Sequence, residues 1–116
     1  MKLTTMQVIN AYNWAMSVRT KPLTTKVAYL LATNVQNMSN VVTSYEQQRR
    51  ELLEKYTTIN EDGEQVQNNV DEMNAEFKEL LDCEVEVVIN KINLSDMKDI
   101  NITMERMLLI SFLFEM

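Results

Sequence analysis

The residues in this sequence with the most evident chemical potential are carboxylates. Residues 61–86 contain ten Asp or Glu and a single lysine. Glu72, Glu76 and Glu79 recur at the spacing of one helix face. Together with Asp82, these side chains could hold a divalent cation, because hard cations prefer carboxylate oxygens. A solvated helix face explains the same spacing, and no second set of ligands forms a recognisable motif, so we expect no metal site.

Most other catalytic sites are excluded by composition. The chain has no histidine, which excludes histidine-based triads and zinc sites that use histidine. Its one cysteine, Cys83, cannot build a thiolate metal site, and we expect it to be a small buried residue. A single glycine excludes phosphate-binding loops and dinucleotide fingerprints. We therefore predict no enzymatic activity, no cofactor and no bound metal.

The carboxylates are also unevenly distributed, which suggests a binding surface. Residues 1–58 carry seven Lys or Arg against three Glu, whereas residues 59–116 carry four against fourteen Asp or Glu. Such an acidic half repels nucleic acid and attracts a protein target with a basic surface. The candidate partner-binding residues are Glu61, Asp62, Glu64, Glu72, Glu76, Glu79, Asp82, Glu84 and Glu86.

Aromatic residues offer a second kind of binding chemistry, the stacking of nucleobases. Tyr12, Trp14, Tyr29, Tyr45 and Tyr56 are the candidates. Tyr45 and Tyr56 belong to an apolar helix stripe, however, and basic residues are not interleaved with the aromatic ones. We expect no direct binding of nucleic acid.

The first element that would position these groups is a short helix. Thr4 and Gln7 have the spacing of a capping box, and the helix should end near Val18, before Pro22 breaks the chain. Its predicted apolar stripe consists of Val8, Ile9, Tyr12, Ala15 and Met16.

A much longer helix is predicted over about residues 24–57. A heptad-like stripe, apolar except for Arg49, recurs there in steps of three and four, at Ala28, Leu31, Val35, Met38, Val42, Tyr45, Arg49, Leu52 and Tyr56. The first helix and a third helix over about residues 70–81 could together cover this stripe. A coiled-coil partner is the alternative, and we favour coverage by the chain itself.

Short strands complete the prediction. One or two are expected near residues 64–67, beside the turn at Gly63, and near residues 84–91. In the second strand, Val85, Val87 and Ile89 would face inward while glutamates face water. Its partner would be the segment around Gly63 or another chain, since a single strand leaves its backbone groups unpaired.

The carboxyl end is strongly apolar. Thr103 should open a last helix, in which residues 107–114, "MLLISFLF", are apolar on every face. Such a helix is either buried or part of a homodimer, and we favour the homodimer. The candidate self-association residues are Val85, Val87, Ile89, Leu109, Phe112 and Phe114.

Together these elements predict a single domain over residues 1–116 that is mainly α with a minor β element, a helical hairpin or bundle around one long helix. No apolar run approaches the roughly 18 residues that a membrane span needs. We expect a cytoplasmic protein without membrane contact.

Several segments carry a resemblance to a known family. "MKLTTMQVINA", "KVAYLLA", "YEQQRRELLEKY" and "FKELLDCEVEVVINKINLSD" resemble a family of small uncharacterised proteins of tailed phages and prophages of Gram-positive bacteria, known as a domain of unknown function. The resemblance covers most of the chain and implies expression in the cytoplasm of the bacterial host. That family brings no assigned activity, so no site residue is carried over. The apolar carboxyl end departs from its pattern.

Three classes of function follow, in order of preference. The first is a non-enzymatic accessory protein that binds one protein target, for example as an inhibitor of a host or anti-phage defence nucleoprotein complex. In that case the acidic surface would occupy a groove built for nucleic acid. The second is a phage structural or assembly factor that acts by self-association. The third, far behind, is an acidic metal-dependent enzyme.

Overall fold

The computed structural model describes residues 1–97 and 100–115. Its helices are α1 (Thr5–Ser17), α2 (Thr25–Lys55), α3 (Val70–Asp82) and α4 (Met104–Ile110), with 3-10 turns at Leu94–Met97 and Ser111–Leu113. Its strands are β1 (Lys2–Thr4), β2 (Thr57–Ile59), β3 (Gln65–Gln67), β4 (Glu84–Glu86), β5 (Ile92–Asn93) and β6 (Phe114–Glu115). The predicted fold, mainly α with a minor β element around one long helix, is confirmed.

Helix α1 begins where the capping box was predicted. The Thr4 hydroxyl accepts the amide of Gln7 at 3.2 Å, and the Gln7 side chain accepts the amide of Thr4 at 2.8 Å. The buried face differs from the predicted stripe, because Ala11 and Trp14 lie in the core with Val8 and Ala15. The predicted Ile9, Tyr12 and Met16 are half-buried.

Helix α2 is the long helix, capped by the Thr24 hydroxyl. Its buried residues are Val27, Leu31, Asn34 and Met38. The predicted stripe is wrong at Ala28 and Arg49, which are exposed. It also omitted Asn34, a polar residue that is fully buried.

Helices α1 and α3 both pack on the long helix, as predicted. The coverage is unequal, because the four buried residues of α2 all lie within residues 27–38. The molecule measures 58 × 27 × 25 Å. Residues 43–82 form a projection, here called the arm, which comprises the end of α2, the β2–β3 hairpin and α3. The apolar core lies outside the arm, among α1, the first half of α2 and the carboxyl-terminal segment.

Strand β4 is shorter than the predicted 84–91 and has a different partner. It pairs antiparallel with β1, with Leu3 opposite Val85, so the partner predicted around Gly63 or in another chain is wrong. Strands β2 and β3 instead pair with each other. After β4 the chain follows α2, because the Asn37 side chain donates to the carbonyl of Val88 at 3.0 Å and Asn34 bonds to Asn90.

The carboxyl end folds partly into the core. The Thr103 hydroxyl caps α4 by accepting the amide of Arg106 at 3.1 Å. The helix ends at Ile110 and does not include residues 111–114 as predicted, because the chain then turns and β6 pairs in parallel with β5. The ring of Phe114 meets that of Trp14 edge to face, with centroids 5.5 Å apart. Trp14 is therefore a core residue.

Within residues 1–97 and 100–115, no helix combines the length and the apolar character needed to cross a membrane.

Candidate interaction surface

The nine candidate carboxylates occupy three successive elements. Three lie in the turn between β2 and β3, four on α3 and two on β4. All are exposed except Glu76, which is half-buried. The structure thus places seven of the predicted residues on the arm and the other two on β4, which pairs with β1 beside the core.

The turn that carries three of the carboxylates is held by hydrogen bonds to its backbone. The side-chain oxygen of Asn60 accepts the amides of Asp62 at 3.0 Å and Glu64 at 2.9 Å. Gly63 adopts φ +79°, a conformation that favours glycine. With the backbone satisfied in this way, the side chains of Glu61, Asp62 and Glu64 are left to solvent.

The start of α3 has a local reason to be acidic. Asn69, before the helix, has left-handed backbone geometry and its side chain makes no capping hydrogen bond. Asp71 and Glu72 lie in the first turn, where the positive end of the helix dipole favours negative charge. Glu79 and Asp82 lie near the opposite end of α3, so the dipole does not favour them there.

Glu76 joins α3 to the end of α2. Its carboxylate lies 3.2 Å from the ammonium of Lys55. Hydrogen bonds from Tyr56 and Lys55 lower the pKa of Glu76. The hydrogen bond to Glu76 raises the pKa of Lys55 and also that of Tyr56. Glu76 therefore has a structural partner as well as a position on the acidic surface.

The two glutamates of β4 differ in their surroundings. Glu86 lies 2.7 Å from the amine of Met1, and Glu84 is exposed. Between them Val85 is half-buried, opposite the buried Leu3. This alternation matches the predicted wet and apolar faces of the strand.

The carboxylates do not converge. Across the described parts of the chain, no three Asp, Glu or Cys side chains come close enough together to hold a metal ion. The spacing of Glu72, Glu76, Glu79 and Asp82 thus produces a charged face and no such cluster.

An apolar groove of about 320 Å³ lies beside the acidic residues, between α2 and the α3–β4 segment. Sequence reasoning missed it. The residues that face each other across the groove include Val41, Ser44, Tyr45, Leu80, Cys83 and Val85. Cys83 is exposed, so the expected burial of this residue was wrong. The available signal was the small or polar character of Asn40 and Ser44, where a filled helix interface would need large apolar residues.

The candidate self-association residues do not form one surface. Val87 and Phe114 are buried in the core, whereas Val85, Ile89 and Phe112 are half-buried. Leu109 is exposed, together with two α4 residues that the prediction did not name, Met104 at 80% and Leu108 at 74% exposure.

Comparison with protein-family models, with curated proteins and with solved structures finds no match to this chain. The resemblance to the phage family stays a prediction from the sequence.

Proposed function

We propose that the chain is a non-enzymatic protein-binding protein whose acidic arm contacts a basic surface on one target. One observation carries this proposal. Among the described residues, only Glu76 and Glu86 of the nine candidate carboxylates have a cationic group within 4.0 Å. Carboxylates without cationic partners inside the protein are available to cations outside it, and they steer a basic partner toward the arm.

The shape of the arm suggests what kind of basic surface it fits. Helix α3 has 13 residues, which at 1.5 Å per residue is about 20 Å of acidic helix. The face of α3 turned away from α2 could therefore lie along a groove that ordinarily holds a nucleic-acid strand. This favours a nucleoprotein target, and with the phage resemblance we propose inhibition of a host or anti-phage defence complex as the specific role.

Charge reversal tests the proposal. In one variant Glu72, Glu79 and Glu84 become Lys, because all three are exposed and none has an ion-pair partner among the described residues. A matched variant reverses Asp96, Glu105 and Glu115, which are exposed outside the arm. Of these only Asp96 has an ion-pair partner among the described residues, Lys26 at 3.9 Å. For a target captured from host lysate, the first variant should bind at least about tenfold more weakly, with reduced salt dependence. Equal affinity and equal salt dependence in the two variants would contradict the proposal.

A second candidate function is self-association of a phage structural or assembly factor. The observation in its favour is the exposed apolar face of Met104 and Leu108, one turn apart on α4. Light scattering of the wild type and of a variant with Leu108→Ser and Met104→Ser tests it. A dimer mass that falls to the monomer mass in the variant would favour this function over the first.

A further inference from the structure

We propose that the apolar groove between α2 and the α3–β4 segment anchors one apolar side chain of a partner segment whose flanking residues are Lys or Arg. This inference rests on the proposed function and specifies the chemistry of its partner. Charge attraction alone does not distinguish one partner residue from another, whereas an apolar groove can recognise a particular side chain.

The size and lining of the groove fit a side chain. Its volume of about 320 Å³ lies at the lower end of the range for ligand pockets. Its exposed surface is mostly apolar, with Leu80 and Val85 on one side and Val41 and Tyr45 on the other. The polar residues that also line it are Thr5, Asn40, Ser44 and Gln48. Anchoring residues at protein interfaces fill desolvated pockets of this kind, surrounded by polar contacts.

The charges beside the groove select basic flanking residues. Glu79 precedes the groove residue Leu80, and Glu84 lies between Cys83 and Val85. Both carboxylates are exposed and adjacent in sequence to groove residues, with Glu84 on the face of β4 opposite to Val85. They make the surroundings of the groove negative, and this potential acts over a Debye length of about 10 Å at 0.1 M salt. A partner segment with Lys or Arg on either side of its apolar residue would neutralise them.

The α2 wall of the groove carries little negative charge, which indicates on which side the basic residues of the partner segment should lie. Residues 40–48 of α2 contain one charged residue, Glu46, and Arg49 and Arg50 follow at the far end. The flanking bases should therefore lie along the α3–β4 side. A second copy of the chain fits less well, because each copy carries a net charge of −6 and brings its own acidic arm.

Synthetic peptides test the inference without knowledge of the natural target. Three short peptides are compared by fluorescence anisotropy at low salt: a leucine flanked by lysines, an alanine flanked by lysines, and a leucine flanked by glutamates. The leucine–lysine peptide should bind at least about tenfold more tightly than the alanine–lysine peptide, a difference of about 1.4 kcal/mol. The leucine–glutamate peptide should bind more weakly than both.

Cys83 gives a way to block the groove, because it is exposed there and is the only cysteine in the chain. Alkylation with N-ethylmaleimide should abolish the preference for leucine and leave the alanine–lysine peptide unaffected. The variant Cys83→Ser, treated in the same way, is the control and should keep the preference.

Two negative results are distinguishable. Equal binding of the two lysine peptides, or a leucine preference that survives alkylation, would overturn the groove inference and leave the acidic surface intact. If neither lysine peptide binds at low salt, the proposed function itself is contradicted, and the groove inference with it.

Discussion

Asn34 shows how one polar residue can determine the path of a distant segment. It is fully buried on α2, and its side-chain amide donates to the carbonyl of Asn90 at 3.0 Å and accepts the Asn90 amide at 2.8 Å. The Asn34 side chain thus supplies both of the hydrogen bonds that a neighbouring strand would otherwise make with the backbone of Asn90. This explains why the chain after β4 needs no further strand partner at that point.

Replacing Asn34 should therefore be costly. Asn34→Ala leaves the backbone groups of Asn90 without their partners, and we expect a loss of about 1–3 kcal/mol in the free energy of unfolding. Asn37→Ala, which removes one exposed hydrogen bond to Val88, should cost less than about 0.5 kcal/mol. Urea denaturation measures both, and equal losses would contradict the role assigned to Asn34.

Glu76 should make stability depend on pH in the acid range. Its pKa is lowered by the hydrogen bonds from Tyr56 and Lys55, so the folded state binds a proton less readily than the unfolded state. The stabilisation is complete above the ordinary pKa of a glutamate and is lost as the pH falls through the lowered value. Unfolding curves of Glu76→Gln should therefore approach those of the wild type at acid pH. Glu105→Gln controls for the loss of one charge, and a constant difference between the Glu76→Gln and wild-type curves would contradict the prediction.

At the level of the elements, local signals predicted the structure well and long-range pairing did not. The caps at Thr4 and Thr103 depend on neighbouring residues, and the structure has both of them. The pairing of β4 with β1 joins residues 80 to 84 positions apart, and nothing in the periodicity of either segment specifies it. The burial of Asn34 was missed for the same reason, since its partner lies 56 residues away.

The candidate surface shows the same contrast between local properties, which the sequence predicts, and long-range packing, which it does not. Its carboxylates could be named from the sequence because exposed charge is a property of each residue and of its place on a helix or turn. The groove could not, because it arises where α2 meets the α3–β4 segment, and its shape depends on how far apart they pack. The ion pair of Glu76 with Lys55 likewise spans 21 positions.

The start of α1 and the end of α3 are joined by two hydrogen bonds. The carbonyl of Cys83, after the last turn of α3, accepts both the amide of Thr5 at 2.9 Å and its hydroxyl at 3.1 Å. These bonds satisfy groups that helix termini leave free. Thr5→Val keeps the shape but removes the hydroxyl, so the free energy of unfolding should fall by about 0.5–1.5 kcal/mol. Thr25→Val, exposed in the first turn of α2, is the control, and an equal change there would contradict this reading.

The whole molecule is less compact than a typical domain of the same length. Its Cα radius of gyration is 17.7 Å, whereas a compact domain of this length has about 13 Å. The 31 residues of α2 alone span about 46 Å at 1.5 Å per residue, and no residue of the arm belongs to the core cluster. A projecting acidic arm exposes far more charge to a partner than a compact bundle would, at the expense of apolar burial.

That unequal burial predicts unequal stability along the chain. On α3 only Met73 is buried, and α2 has no buried residue after Met38, whereas α1 has five. Segments with few buried contacts open locally at lower free energy. In native-state hydrogen exchange, the amides of α3 should be protected at least about tenfold less than those of α1, which is about 1.4 kcal/mol in opening free energy. Met73→Ala should speed exchange in α3 and leave α1 unchanged, because Met73 lies outside the core cluster. Equal protection of α1 and α3, or a response of α1 to Met73→Ala, would mean that arm and core open as one unit.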